Sequence, residues 1–280
     1  MKEPAMPLLP VACVQSSATS DPQHNLAAVT PLIRQAAAGG AKLICLPEAF
    51  DYLNPSFAAL SDYAVPEAEH PALILLSKLA RELSVWLLAG SVSVKLADGR
   101  MANRSALIGP DGAINARYDK IHLFDVDLPD GSRFRESDFY RPGDRAIVAD
   151  GPDGARIGMA ICYDVRFPHL HRTLAQAGAQ IITVPAAFSS MTGPLHWEVL
   201  LRARAIETGC FVLAPAQCGD NYAGRRSHGQ SLIIDPWGRV LGRLGDEPGV
   251  LSASLDLEQV AAFRAAIPSP VTNNPFRIGA

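Results

Sequence analysis

A mixed α/β architecture, with sheets covered by helices, is what this sequence predicts. Three observations carry the expectation. Apolar runs rich in Val, Ile and Leu recur along the chain, helical patterns separate some and Gly/Pro turns others, and part of the chain resembles another part. In chain order, the first strand is expected over 8–15. Lys2 and the apolar residues after it briefly imitate a signal peptide, but Pro4, Pro7 and Pro10 interrupt the patch, so a strand is the better reading. A helix over 23–38 and a strand over 42–46 follow, with glycine between them to end the helix. A helix over 72–83 leads into strands over 85–94, 101–108 and 114–118, the last two joined by a hairpin turn at Pro110-Asp111-Gly112. Strands over 146–149 and 157–161 precede a helix over 169–177, a strand over 181–184 and a long helix over 195–208. Strands over 211–214, 231–234, 240–243 and 250–254, with a second hairpin turn at Pro236-Trp237-Gly238, lead to a last helix over 257–267.

The self-resemblance is specific. Ala41-Lys-Leu-Ile-Cys-Leu-Pro-Glu-Ala-Phe50 aligns with Ala179-Gln-Ile-Ile-Thr-Val-Pro-Ala-Ala-Phe188, and Ser105 to Tyr118 aligns with Ser231 to Leu244. Two similar α/β halves packed into one domain over 8–267 are therefore expected, with 268–280 as a tail available to an oligomer contact. The copies differ at one informative position: Glu48 in the first is Ala186 in the second. If the repeat needs only a packed residue there, the carboxylate is present for another reason.

Composition narrows the function. The 280 residues carry 25 Lys+Arg against 28 Asp+Glu, a formal charge of −3, which argues against a nucleic-acid partner. At 48% hydrophobic and 19% charged, the chain can bury a large core. It has no apolar run of about 18 residues, so no membrane span is expected. Five cysteines, Cys13, Cys45, Cys162, Cys210 and Cys218, point to free thiols and a cytoplasmic location. Neither a P-loop nor G-x-G-x-x-G is present, so no nucleotide cofactor is expected. No metal is expected either, because His169-x-His171 would point different ways on a helix and nothing else has ligand spacing.

Three segments could carry chemistry. Ile157-Gly-Met-Ala-Ile-Cys-Tyr-Asp-Val-Arg-Phe-Pro168 reads as a buried strand, a turn and a helix, with Cys162 at the strand end. Ligands bind at that end of open α/β sheets, and a helix N-terminus nearby would favour thiolate over thiol; Cys162 could equally be a small core residue. Leu46-Pro-Glu48-Ala-Phe50 ends another apolar strand in a carboxylate, which could act as a base or merely cap a helix or pair with an arginine. Lys120, in Tyr118-Asp-Lys-Ile-His-Leu-Phe-Asp125, is by default a solvated loop lysine. Together they say more. A cysteine nucleophile needs a base for its proton and a positive donor for the oxyanion, and Glu48, Cys162 and Lys120 supply these.

With these three motifs in this order, the chain resembles the nitrilase superfamily of carbon-nitrogen hydrolases over nearly its whole length. The resemblance implies a four-layer αββα sandwich, oligomers built on a dimer, and an amidase acting on a small-molecule amide through a cysteine thioester. It also implies a second glutamate, which maps to Glu136 in Phe134-Arg-Glu-Ser-Asp138, a stretch that otherwise reads as a charged loop. Thr192 to Glu207 and Asp235-Pro-Trp-Gly238 resemble the branch that hydrolyses amides of 2-oxo acids derived from glutathione or glutamine. Ala216-Gln-Cys-Gly219 leans toward the glutathione-derived substrate. The expected substrate contacts are Tyr163, Arg166, Phe188, Met191, Thr192, His196 and Trp197, with Tyr163 giving a backbone N–H to the oxyanion. Arg166 could anchor a substrate carboxylate or form a structural salt bridge. Phe188, Met191 and Trp197 could wall the pocket or be core. Arg204 and Glu207 are expected to be structural. Arg225 and Arg226 could meet an extra substrate carboxylate or lie in a solvated loop. Relatives often have His at Gln230, so a pocket or packing contact is expected to differ there. An acyltransferase that passes the thioester to an amine, a catalytically silent binding protein and a cysteine-histidine protease are the competing readings. The last lacks a recognisable histidine motif.

Overall fold

The computed structural model describes residues 8–128, 131, 133–222 and 225–279. The first seven residues of the stretch that imitates a signal peptide lie outside them, as does the last residue of the tail. The chain opens with β1 (Leu9–Gln15), α1 (Pro22–Ala38), β2 (Leu43–Cys45), α2 (Phe57–Tyr63), α3 (Pro71–Leu83), β3 (Trp86–Leu88), β4 (Val92–Lys95), β5 (Met101–Ile108) and β6 (Ile114–Asp119). A short antiparallel pair, β7 (Asp125–Asp127) and β8 (Arg133–Arg135), comes next. Then follow β9 (Ile147–Asp150), β10 (Arg156–Met159), α4 (Pro168–Gln176), β11 (Ile181–Thr183), α5 (Gly193–Thr208) and β12 (Phe211–Ala214). A second antiparallel pair, β13 (Cys218–Tyr222) and β14 (Arg225–His228), precedes β15 (Leu232–Ile234), β16 (Val240–Arg243), β17 (Gly249–Leu255) and α6 (Glu258–Ala266).

The internal repeat is visible in the pairing. In the first sheet β1, β2 and β3 run parallel, β17 adds antiparallel to β1, and β5 joins β3 and carries β6. In the second, β10, β11 and β12 run parallel, β9 adds antiparallel to β10, and β15 joins β12 and carries β16. The two aligned sequence stretches are thus the central strands β2 and β11 and the hairpins β5–β6 and β15–β16. Both expected hairpin turns form, closed by Gly109 N–H to Ala113 O and by Asp235 N–H to Arg239 O.

Side-chain alternation stacks the layers. On β1, Leu9, Val11 and Cys13 join a core shared with the second sheet, whereas Ala12 and Val14 face Val29 and Ile33 of α1 and Leu76 of α3. The far side of the second sheet is covered by α4 and α5 through Leu170, Leu174, Leu201 and Ala205. The result is the αββα sandwich.

The expected strand over 85–94 is two strands, β3 and β4. Gly90 breaks it at φ +39°, where the Pro47 carbonyl comes so close that a Cβ would lie 1.9 Å from its oxygen. That close approach seats the loop carrying Glu48. Sequence reading also passed over α2, β7, β8, β13 and β14, which are short and, α2 apart, mostly polar. Among the described residues, no helix is long and apolar enough to cross a membrane.

His171 on α4 is fully buried, with Nδ1 3.2 Å from Phe167 O and no partner for Nε2 among the described residues. Burial, aided by the charge of Arg204, holds its pKa down to about 4. The folded state therefore resists a proton that the unfolded chain takes up near pH 6.5. Stability should be lost as pH falls from about 6.5 toward 4. Between pH 7 and 5 this group alone should remove about 2 kcal/mol. Denaturant titrations at both pH values should show a smaller drop for His171→Gln than for wild type; equal drops would contradict this.

Candidate active site

Four chemistry-bearing side chains reach one place from four loops. Glu48 follows β2, on a corner where Ala49 takes φ +51° and gives its N–H to Ser91 Oγ at 3.1 Å. Lys120 follows β6 and is pinned by its N–H to Asn103 O at 3.0 Å. Glu136 opens a short 3₁₀ turn after β8, and the Phe124 N–H meets its Oε2 at 2.7 Å. Cys162 opens a 3₁₀ turn after β10, at φ +46°, with its N–H on Pro185 O at 2.9 Å. A left-handed conformation at a residue with a Cβ is unfavourable, so surrounding bonds must impose it.

Asp164 supplies much of that constraint. Its fully buried carboxylate accepts from Ile161 N–H (2.9 Å), Tyr118 OH (2.7 Å) and His122 N–H (3.0 Å). It thereby ties the cysteine turn to both sides of Lys120. From α5, Arg204 donates to Val165 O at 2.7 Å and pairs with Glu207 at 2.6 Å, the structural role expected of both.

Lys120 is 2% exposed and Glu48 6%. Lys120 Nζ lies 2.9 Å from Glu48 Oε1 and 2.8 Å from Glu136 Oε2. Asn103 Nδ2 bridges the same carboxylates at 3.0 and 2.9 Å, and the Ala187 N–H holds Glu48 Oε2 at 2.8 Å. Burial pushes the Glu48 carboxyl up, but the charge and hydrogen bond of Lys120, with the Ala187 N–H, outweigh it and hold the group below its ordinary range. Lys120 is likewise disfavoured by burial, yet Glu136 and Glu48 keep it firmly protonated. The Cys162 thiol is pushed well above its ordinary value, first by burial and then by the Glu48 charge, which Lys120 only partly offsets. This corrects the expectation that the helix N-terminus favours thiolate. The resting pair is a neutral thiol beside an ionised carboxylate.

These residues open into a cavity of about 570 Å³. Tyr163, Arg166, Phe188, Met191 and Thr192 line it as expected. Trp197 and His196 do not. Trp197 is core, packed on Phe188 with ring centroids 4.9 Å apart and donating Nε1–H to Gln230 O at 2.9 Å. His196 stands behind the wall, with Nδ1 3.2 Å from Arg166 Nη2. Gln230, at φ +58° in the turn before β15, donates Nε2–H to Asp246 Oδ1 at 2.9 Å, a packing contact away from the cavity.

The carbon-nitrogen hydrolase profile matches residues 10–265. The chain belongs to the carbon-nitrogen hydrolase family. It is 42% identical over 262 residues to the deaminated glutathione amidase of Homo sapiens, covering 92% of this chain and 80% of that protein. It is 37% identical over 258 residues to the Homo sapiens omega-amidase NIT2, covering 92% of each. The crystal structure of the C. elegans NitFhit protein superposes with a TM-score of 0.88 at 36% identity, covering 95% of this chain and 65% of that one. This hydrolase is therefore an amidase of the nitrilase superfamily.

Two residues of the hydrolase's site escaped sequence reasoning. Asn103 was legible only as a polar residue beside Arg104 and Ser105 in the middle of a strand. Gln217 ties the two sheets' loops by donating to Glu48 O (3.1 Å) and accepting from Ala18 N–H (2.8 Å).

With Glu48 ionised and the thiol neutral, alkylation of Cys162 by iodoacetamide should need Glu48 to take the proton. Mass-spectrometric labelling rates should hold steady as pH falls from 8 to 5. Glu48→Gln should slow labelling about tenfold or more at pH 7; an unchanged rate would remove Glu48 as the base.

Proposed function

We propose that this hydrolase cleaves the linear amide of a 2-oxo acid, deaminated glutathione first, through a thioester on Cys162. The convergence of Cys162, Glu48, Lys120 and Glu136 in one cavity carries the reading, and the similarity to deaminated glutathione amidase supports its substrate. Glu48 takes the Sγ proton as sulfur bonds to the amide carbon, and the carbonyl oxygen becomes an oxyanion. Lys120 has three N–H donors, shared among Glu48 Oε1, Glu136 Oε2 and, at the longer 3.1 Å, Glu136 Oε1; the donor on that last, doubly served carboxylate turns to the substrate oxygen. The Tyr163 N–H has no backbone partner among the described residues and is the second donor. Glu48 then returns its proton to the amide nitrogen as the C–N bond breaks and the amine leaves. Water repeats the sequence: Glu48 takes its proton, oxygen bonds to the thioester carbon, and the departing sulfur regains a proton from Glu48. Glu136 shares Lys120 and Asn103 with Glu48 and fixes their positions.

Arg166 suits the 2-oxo acid carboxylate. It lines the cavity over the Tyr163 and Phe188 rings at 5.8 and 5.4 Å and makes no salt bridge with a described residue, which supports the carboxylate anchor over a structural salt bridge. Thr192 stands on the same wall. Similarity to omega-amidase favours 2-oxoglutaramate as the second reading. Both substrates yield 2-oxoglutarate, so one assay compares them, with cysteinylglycine or ammonia identifying the leaving group. Wild type should release 2-oxoglutarate and cysteinylglycine from deaminated glutathione, and Cys162→Ala should release neither. Lys120→Ala should lower kcat by about two orders of magnitude, the cost of one oxyanion donor, with KM moving far less. Turnover of 2-oxoglutaramate alone would move the assignment to omega-amidase.

We also infer a single domain over 8–267, a cytoplasmic location matching five buried, unbridged cysteines, and a homodimer. The dimer face is the outer stripe of α5, where Leu195 and Val199 are 73% and 66% exposed, beside the exposed Trp237 and Leu241. Glu198 and Arg202 on that helix give a two-fold partner charges of both signs. Light scattering should give twice the chain mass for wild type and the chain mass for Val199→Glu; a monomeric wild type would overturn the dimer.

A further inference from the structure

Five arginines line the cavity, and their partners differ. Arg133 and Arg135 both pair with Asp127, at 2.6 and 2.8 Å, and Arg226 lies 3.5 Å from Asp220. Arg166 and Arg225 have no carboxylate partner among the described residues. Each guanidinium has five N–H donors, of which Arg225 uses one for Ala187 O at 3.0 Å and Arg166 one for His196 Nδ1. Both are partly buried and line the cavity, which leaves it as the place where their remaining donors can meet a ligand.

The two guanidinium groups stand at the ends of one arc of aromatic rings. Arg166 lies over Tyr163 at 5.8 Å, Tyr163 contacts Phe124 at 5.1 Å, Phe124 contacts Phe134 at 5.3 Å, and Arg225 lies over Phe134 at 5.8 Å. The rings hold the guanidinium planes and put apolar surface between them. Tyr163 belongs to the cysteine turn, so the arc starts at the reacting centre and runs to the second antiparallel pair.

Two argininium ions without counterions, separated by an apolar wall, match a ligand with an anion at each end and an uncharged middle. Resting on the amidase reading above, we propose that Arg225 is a specificity-determining residue. It binds a carboxylate on the amine side of the scissile amide while Arg166 binds the one on the acyl side. The preferred substrate class is then a linear amide dicarboxylate. Deaminated glutathione belongs to it, with a 2-oxo carboxylate on one side and a glycine carboxylate on the other; 2-oxoglutaramate has only the first. Arg226, held by Asp220 and half exposed, adds field at the mouth without being the anchor.

The test compares deaminated glutathione with its glycinamide, which lacks only the amine-side charge, and reads kcat/KM from 2-oxoglutarate release. The dianion-to-glycinamide ratio should be about tenfold or more in wild type and near one in Arg225→Gln, with the loss in KM; Arg225→Lys should restore part of it. A ratio that Arg225→Gln leaves unchanged, even as both rates fall together, assigns Arg225 a merely structural hold on Ala187 and overturns the proposal. A wild-type ratio near one does the same. Release of 2-oxoglutarate from neither these compounds nor 2-oxoglutaramate by wild type would instead overturn the substrate reading itself, and this assignment with it.

Discussion

A lysine buried between two carboxylates is the constraint on which the rest of this structure depends. Removing an ammonium from water costs far more than one hydrogen bond returns, so Lys120 can stay charged only if Glu48 and Glu136 remain within bonding distance. Those partners come from loops after β2 and β8, and Asn103 and Ala187 complete them from β5 and the loop after β11. A displacement of any one loop leaves an uncompensated charge inside the protein. The loops are accordingly tied to each other, through Asp164, Gln217 and the close approach at Gly90, as well as to their own strands.

The internal repeat explains how so many loops arrive together. Each half is the same parallel strand trio with the same hairpin, and packing the sheets face to face brings the ends of β2 and β11 toward one another. The symmetry is broken where charge is needed. Glu48 stands at the end of the first copy, while the second places the small Ala186 there and lends the next N–H, that of Ala187, to the Glu48 carboxylate. One half supplies a carboxylate and the other a hydrogen bond that keeps it ionised.

What the sequence disclosed follows the strength of its local signals. Apolar strands and periodic helices were legible within a residue or two, as with β1, β12 and α3, because burial writes itself into composition. The segments α2, β7, β8, β13 and β14 were not, being short and held by the site around them. Glu48, Lys120 and Cys162 were readable as a set, but Glu136 only by resemblance, since a glutamate among Arg133, Arg135 and Asp138 has no distinguishing pattern. Trp197 and His196 were misplaced because sequence does not say which face of α5 meets the cavity. The thiol's direction was misread for a different reason. A short 3₁₀ turn offers a weak dipole, and burial beside Glu48 is the larger effect.

The proton inventory ties this electrostatic arrangement to the proposed reaction. With the thiol neutral, Lys120, Glu48 and Glu136 together carry one net negative charge. When Glu48 accepts the thiol proton, its negative charge disappears and reappears on the substrate oxyanion, within reach of the same Lys120 ammonium. The site therefore carries the same net charge before and after attack, and the cation that held Glu48 ionised is already in place for the oxyanion. Little reorganisation is required at the moment of bond formation, which is where a preorganised dipole or charge is most effective. Had the resting state been a thiolate beside a protonated Glu48, Lys120 would have stabilised the nucleophile as strongly as the oxyanion and left less of its interaction for the transition state. A raised thiol pKa is thus consistent with the proposed reaction.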